Sequence, residues 1–97
     1  MINAVVLLKA DVHSIPETAQ AIADLDKVSE VYSVAGEWDL VVIVRVKEHE
    51  DLADVITGSI DKIPGITASS TLIAFKVFSR HDLESLFSVG FGDAPTN

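Results

Sequence analysis

Two strand-like runs that meet at a short polar turn constrain this chain more than any other stretch. Residues 28–34 and 40–46 are rich in Val, Ile and Tyr, the side chains that favour a pleated, at least half-buried strand. Between them, Gly36 can adopt a positive φ without the Cβ penalty, and the acids Glu37 and Asp39 tolerate solvent. Residues 28–46 therefore predict a β-hairpin with its turn at residues 35–39.

The segments before the hairpin predict a strand and a helix. Residues 2–10 are apolar on both alternating faces, which is typical of a central strand that is covered on both sides. Ser14 and Glu17 have the spacing of a capping box, in which each side chain accepts a backbone N–H at the start of a helix. We expect this helix to end near Asp26.

The segments after the hairpin predict a second helix and a last strand. Apolar residues at helical spacing indicate a helix over residues 47–63, which Pro64 and Gly65 end. Residues 66–79 then alternate as a strand. The order β-α-β-β-α-β with right-handed crossovers predicts an α+β, ferredoxin-like domain over residues 1–79, with both helices on one face of a four-stranded antiparallel sheet. Residues 80–97 are expected to be a tail with a short amphipathic helix.

The face of the sheet that the helices leave free is predicted to be apolar. Its side chains are expected to be Val5, Leu7, Tyr32, Val34, Val41, Ile43, Ile73 and Phe75. An exposed apolar surface of that size is unusual in a monomer, and its burial is favourable by about 25 cal/mol per Å². We therefore expect two copies to pack sheet to sheet as a homodimer.

Composition excludes several classes of function. The chain of 97 residues has a formal net charge of −8, and its seven Lys and Arg residues do not cluster. Phosphate contacts need a basic surface, so we expect no direct binding to nucleic acid. The absence of cysteine excludes disulfides and thiolate chemistry. The apolar runs are too short to span a membrane and no signal peptide precedes the first strand, which indicates a cytoplasmic protein with no membrane partner.

The sequence shows no catalytic constellation. His13, His49 and His81 lie near the ends of predicted elements, and none has a second histidine four residues later. The acids at positions 48, 50 and 51 beside His49 are typical of a solvated helix start, although they could hold a divalent cation loosely. Neither a glycine-rich phosphate loop nor a nucleophile elbow is present. We expect no enzyme activity, no cofactor and no metal.

The turn and two later segments together resemble a known family. The run Val-Tyr-Ser-Val-Ala-Gly-Glu-Trp-Asp-Leu over residues 31–40 is followed by Ile-Pro-Gly-Ile at residues 63–66 and by Ser70 and Thr71 in the last strand. In this order and spacing they resemble the effector-binding half of the Lrp/AsnC transcriptional regulators, also called the RAM domain. The resemblance covers residues 1–79 without the helix-turn-helix of the family, which implies a stand-alone domain.

The resemblance implies a small-molecule sensor. Family members form sheet-packed dimers that assemble into octamer or decamer rings and bind an effector, typically an amino acid, between dimers. A stand-alone domain is then expected to modulate transcription or amino-acid metabolism through this assembly, with a full-length Lrp/AsnC regulator as a partner that supplies the DNA-binding half.

Carried over residue by residue, the resemblance implies an effector site at the hairpin turn. Its residues would be Tyr32, Ala35, Gly36, Glu37, Trp38 and Asp39 around the turn, with Ser70 and Thr71 from the last strand. Asp39 is suited to pair with an ammonium group, backbone N–H groups around Gly36 to hold a carboxylate, and Thr71 to donate or accept a hydrogen bond. No arginine lies in this set.

Simpler interpretations of the same residues stay open. Gly36 satisfies turn geometry by itself, Asp39 can cap the turn through its own backbone, and Trp38 is equally suited to anchor an oligomer interface. Two other functions also stay open, a small dimeric αβ-barrel enzyme of the monooxygenase type and a purely structural oligomerisation module.

Overall fold

The computed structural model describes residues 1–78 and residue 80. Their elements follow the predicted order of strand, helix, two strands, helix and strand. The strands are β1 (Ile2–Ala10), β2 (Val28–Ser33), β3 (Leu40–Val46) and β4 (Ile66–Ile73), and the helices are α1 (Ile15–Ala23) and α2 (His49–Gly58), with a 3-10 turn at Ile60–Lys62. The predicted ferredoxin-like α+β class is confirmed. The tail predicted over residues 80–97, with His81, lies outside the described residues apart from residue 80.

The sheet is antiparallel and has the strand order β2-β3-β1-β4, so β1 and β3 are its central strands. In the rows that face the helices, the paired residues are Ala4 with Val44, Val6 with Val42 and Leu8 with Leu40. These six side chains are at most 1% exposed. Strands with neighbours on both edges and helices on one face select aliphatic and β-branched residues, as the sequence of β1 and β3 predicts.

Both helices pack on the same face of the sheet and complete the core. α1 contributes Ile22, α2 contributes Leu52 and Val55, and the 3-10 turn contributes Ile60, all of which are buried. Apolar residues recur at three- and four-residue intervals, so one side of each helix faces the sheet while the acidic side faces solvent. None of the described helices is long and apolar enough to cross a membrane.

The start of α1 differs from the predicted capping box. Ser14 precedes the helix, but its side chain makes no capping hydrogen bond. Its hydroxyl instead donates to the backbone oxygen of Asp11 at 3.4 Å, and the carboxylate of Asp11 accepts from the N–H of His13 at 3.0 Å. A local turn through Asp11 therefore replaces the reciprocal cap with Glu17, because serine and aspartate side chains bond equally well to nearby backbone outside a helix. The helix also ends at Ala23, earlier than Asp26.

The second helix is shorter than the range predicted over residues 47–63. It begins at His49, after Glu48, whose N–H donates to the Asp51 carboxylate at 3.2 Å. It ends at Gly58 because Ser59 leaves the helical region, with φ −128° and ψ −61°. The apolar stripe continues into the 3-10 turn, so periodicity alone did not reveal the break.

The last strand is shorter than predicted, and Ile73 lies on the opposite face of the sheet from the one predicted. β4 ends at Ile73 rather than at residue 79, although the Ala74 N–H still donates to the Asn3 oxygen at 2.9 Å. Ile73 pairs with the buried Ala4, so it shares the helix side of the sheet, and Phe75 lies beyond the strand. Residues 72–75 are apolar on both alternating rows, so their pattern cannot choose a face, and a one-residue slip exchanges the two rows.

The face opposite the helices has an apolar centre with partly exposed margins. Its centre is formed by four half-buried side chains, Val5, Leu7, Val41 and Ile43. Tyr32 on β2 and Leu72 on β4 extend it to the two edges and are 46% and 55% exposed. We call this surface, with its margins, the open face. Of the predicted set, Val34 follows the end of β2 and is 39% exposed.

Gly65 is predicted to be a position where only glycine fits. Its φ is +99°, and a Cβ there would lie 2.8 Å from Thr18 Oγ1 and 2.9 Å from Ser14 Oγ. Gly65→Ala should therefore lower the free energy of unfolding by about 2 kcal/mol or more, measured by urea denaturation.

Gly58→Ala is the matched control, because Gly58 has open space around its Cβ position and no positive φ. It should leave stability unchanged or raise it by roughly 0.5 kcal/mol. Equal effects of the two alanines would contradict the proposed steric role of Gly65.

Candidate functional site

The loop between β2 and β3 is exposed at its tip and fixed at its base. The Val34 N–H donates to the Asp39 backbone oxygen at 3.0 Å, which closes the loop. Gly36 has φ +139° with open space around it, and Ala35 and Glu37 on either side are exposed. The backbone at the tip is thus accessible to a ligand, and no Cβ at Gly36 obstructs the approach.

Asp39 ties this loop to the end of β1. Its N–H donates to the Leu8 backbone oxygen at 2.9 Å, and its Oδ2 accepts from the Ala10 N–H at 2.9 Å. The pairing of β1 with β3 ends at Leu8 and Leu40, and the carboxylate of Asp39 satisfies the Ala10 N–H just beyond that end. The partner is a strand 29 residues away in sequence and not the turn's own backbone. Oδ2 accepts this hydrogen bond. Because the bond fixes the whole carboxylate group, it also fixes the direction of Oδ1.

Trp38 lies against the one charged side chain of β1. The Lys9 Nζ is 5.6 Å from the centroid of the Trp38 ring, within the range of a cation–π contact, and both side chains are half-buried. Lys9 alternates with the buried Leu8 and Ala10, so it belongs to the open face. Sequence reasoning did not include Lys9 in the site. The available signal was a single charged residue in a largely apolar central strand.

The hydroxyl of Tyr32 is hydrogen-bonded to a residue of β2 and not to the loop. The phenol donates to Glu30 Oε2 at 2.6 Å, and Glu30 precedes Tyr32 on β2 while the loop follows it. This hydrogen bond raises the pKa of Tyr32 above 10.0, with smaller contributions from burial and from the Glu30 charge and an opposing one from Arg45. The hydrogen bond therefore favours the neutral form of the Tyr32 phenol, which is the form that donates to Glu30. The ring of Tyr32, rather than its hydroxyl, is what the open face offers.

Ser70 and Thr71 lie away from the loop in the same chain. Ser70 pairs with Leu7, which pairs with Val41, which pairs with Tyr32, so Ser70 and Tyr32 stand at opposite ends of one row. Three strand spacings separate them by about 14 Å. Thr71 pairs with the buried Val6 and therefore lies on the helix side of the sheet. The structure brings together the loop residues and Lys9, and it leaves Ser70 and Thr71 elsewhere.

Surface grooves also lie on the helical layer of the described residues. A groove of about 330 Å³ lies between Leu25 and Ser59, and one of about 360 Å³ lies between Asp11 and Gly65. Neither is lined by a residue of the β2–β3 loop. Within residues 1–78, no group of three or more His, Asp or Glu side chains is arranged to hold a metal ion.

Asp39→Ala is predicted to destabilise the protein. Removal of the carboxylate leaves the part-buried Ala10 N–H without its partner, which costs about 1–2 kcal/mol in the free energy of unfolding. Asp39→Asn retains an oxygen acceptor and should lose less than half of that amount. Urea denaturation of the two variants checks this, and an alanine variant as stable as the parent would show that the bond has no structural weight.

Comparison with known proteins identifies the family. The model of the Lrp/AsnC ligand-binding domain matches residues 3–83. The solved protein TTHA0845 from Thermus thermophilus is 42% identical, with a TM-score of 0.78 over 82% of this chain and 100% of that one. A transcriptional regulator of Neisseria meningitidis, solved as a complex with L-Met, shares the fold with a TM-score of 0.73 over 81% of this chain and 53% of its own, at 10% identity.

Curated relatives have transcriptional functions. The regulator FL11 of Pyrococcus horikoshii is 33% identical over 73 residues, which are 75% of this chain and 48% of FL11. The chain spans about half the length of this relative and of FL11 from Pyrococcus furiosus. These relatives are regulators and not enzymes, which agrees with the prediction of no enzyme activity. The chain belongs to the family of Lrp/AsnC ligand-binding domains.

Proposed function

We propose that this domain binds an amino acid or a related small molecule at the β2–β3 loop and regulates transcription or amino-acid metabolism through the assembly of sheet-packed dimers. The observation that carries the proposal is the pre-oriented carboxylate of Asp39 beside an exposed, glycine-containing backbone. Family membership supports the regulatory, ligand-binding role. The L-Met complex of the Neisseria regulator supports the idea that this fold accommodates an amino acid.

Asp39 is the group proposed to bind the ammonium of the effector. Because the Ala10 N–H holds Oδ2, the side chain does not have to be ordered when a ligand arrives. A hydrogen bond between an ammonium and a carboxylate is shorter and stronger than one between neutral groups. The same residue thus stabilises the hairpin and presents a fixed negative charge to the ligand.

The exposed tip is proposed to bind the rest of the ligand. Ala35, Gly36 and Glu37 are exposed, and the absence of a side chain on Gly36 permits close approach of a ligand to the backbone. Trp38 and the ring of Tyr32 provide apolar surface at the base of the loop.

The assembly in this proposal begins with the open face. Burial of this apolar surface against a second copy is favourable in free energy. The surface comprises the half-buried centre and the exposed margins at Tyr32 and Leu72. Dimers are proposed to assemble into an octamer or decamer ring, as the family resemblance implies. Since Ser70 is about 14 Å from Tyr32 in one chain, Ser70 takes part in the same site only when it comes from another protomer.

Regulation follows from differential binding. A ligand that contacts residues from two protomers binds the assembled state more tightly, and it shifts the population toward that state by its difference in affinity. With a formal net charge of −8, this chain is not proposed to contact DNA. A full-length regulator of the same family that assembles with it is the proposed link to DNA.

A thermal-shift screen against the proteinogenic amino acids tests the ligand site. We expect at least one to raise the free energy of unfolding of the parent by more than roughly 1 kcal/mol at saturation. Asp39→Asn should weaken that ligand at least tenfold, because it removes the charge and keeps the acceptor for Ala10. The control Asp54→Asn makes the same substitution at an exposed carboxylate on α2, away from the loop, and should bind as the parent does.

Two results would contradict this assignment. Unchanged affinity in Asp39→Asn would remove Asp39 from the site. Failure of every amino acid to stabilise an intact oligomer would favour the structural module over the sensor.

Sedimentation velocity at micromolar concentration tests the open face. We expect a dimer or a larger assembly for the parent and a shift toward monomer for Ile43→Lys, which places a charge at the apolar centre. Ala53→Lys adds the same charge on the exposed surface of α2 and should sediment as the parent does. A folded, monomeric parent would end the proposal of sheet packing.

A further inference from the structure

Lys9 occupies an unusual position for a charged residue. It is the only charged residue of β1, and it lies between two buried residues of a central strand. Its side chain points to the open face and places the ammonium 5.6 Å from the centroid of Trp38. The indole face partly replaces water around the cation, which accounts for a lysine that is half-buried there.

The backbone on both sides of Lys9 is bonded to Asp39. The Leu8 oxygen accepts from the Asp39 N–H at 2.9 Å, and the Ala10 N–H donates to the Asp39 carboxylate at 2.9 Å. The loop is therefore held against β1 at the point where Lys9 emerges. One fixed anion and one cation on a flexible stem thus lie at the same end of the open face, beside the exposed tip of the loop.

We propose that Lys9 binds the carboxylate of the effector while Asp39 binds its ammonium, so that the site selects α-amino acids with both charged groups free. This rests on the proposed function, which places the ligand at the β2–β3 loop. A cation–π contact near the surface is weaker than a charge-assisted hydrogen bond to a carboxylate. The ammonium of Lys9 therefore leaves the Trp38 ring when the ligand arrives. Because the sequence-predicted site contains no arginine, the ligand carboxylate was expected to bind backbone N–H groups alone. Lys9 adds a charged side chain that can bind it.

The movement of Lys9 has a direct optical readout. Trp38 is the only tryptophan of the chain, so intrinsic fluorescence reports on this ring and on no other. Withdrawal of a cation from the indole face changes its electrostatic environment, and the emission of the parent is expected to shift when an amino acid binds.

The experiment titrates the full chain with the proteinogenic L-amino acids, measures each affinity by isothermal titration calorimetry, and records Trp38 emission in parallel as the report on Lys9. Each amino acid that binds is compared with its carboxamide, which keeps the ammonium and lacks the carboxylate. The parent should bind the carboxamide about ten- to a hundredfold more weakly. Lys9→Met keeps the length of the side chain and removes its charge. Its affinity for the amino acid should fall by the same factor, while its affinity for the carboxamide should equal that of the parent. Lys9→Arg should restore amino-acid binding to within about threefold of the parent.

The outcomes separate this inference from the proposed function. If an amino acid binds the parent but its carboxamide binds equally well, Lys9 is not the carboxylate anchor, while the effector site stands. Equal amino-acid affinity in Lys9→Met and the parent would overturn the inference in the same way. If no amino acid binds the parent, the proposed function and this assignment fail together. The carboxamide comparison uses only the parent, so it decides the question even if Lys9→Met folds poorly.

Discussion

The pairing of β1 with β3 on one edge and with β4 on the other is the constraint on which the rest of the structure depends. Because side chains alternate along a strand, this central strand divides the molecule into two faces. One row of β1, which includes Val6 and Leu8, forms the floor of the core beneath the helices. The other row, which includes Val5, Leu7 and Lys9, forms the open face. Folding and the proposed assembly therefore use opposite sides of one strand.

The end of β1 is where folding and the proposed site meet. The pairing of β1 with β3 ends at Leu8 and Leu40, which leaves the Ala10 N–H without a partner in the ladder. Asp39 satisfies it and in doing so fixes the position of the β2–β3 loop. The half-buried carboxylate of Asp39 is thereby held in one position, next to Trp38 in sequence. The proposed binding site has a rigid base and an exposed tip, which is a suitable combination for ligand recognition.

The two proposals about ligand and assembly depend on each other through geometry. Tyr32 and Ser70 are at opposite edges of the sheet, too far apart to touch one amino acid within a chain. A site that uses both margins must be shared between protomers. The assembly then completes the site, and a bound ligand stabilises the assembly because it contacts residues of two protomers. Thr71 lies on the helix side of the sheet, and its contact with the effector stays a prediction.

The sequence by itself determined the order of the elements, the ferredoxin-like class, the hairpin turn at Gly36 and the end of the second helical region near Pro64. These depend on local patterns, namely alternation, helical spacing and the conformational freedom of glycine. Only the tertiary structure decided the face of Ile73, since both rows of that segment are apolar and the choice depends on pairing with β1. It alone placed Asp39 on Ala10 and Lys9 on Trp38, because each contact joins residues 29 positions apart that only the β1–β3 pairing brings together.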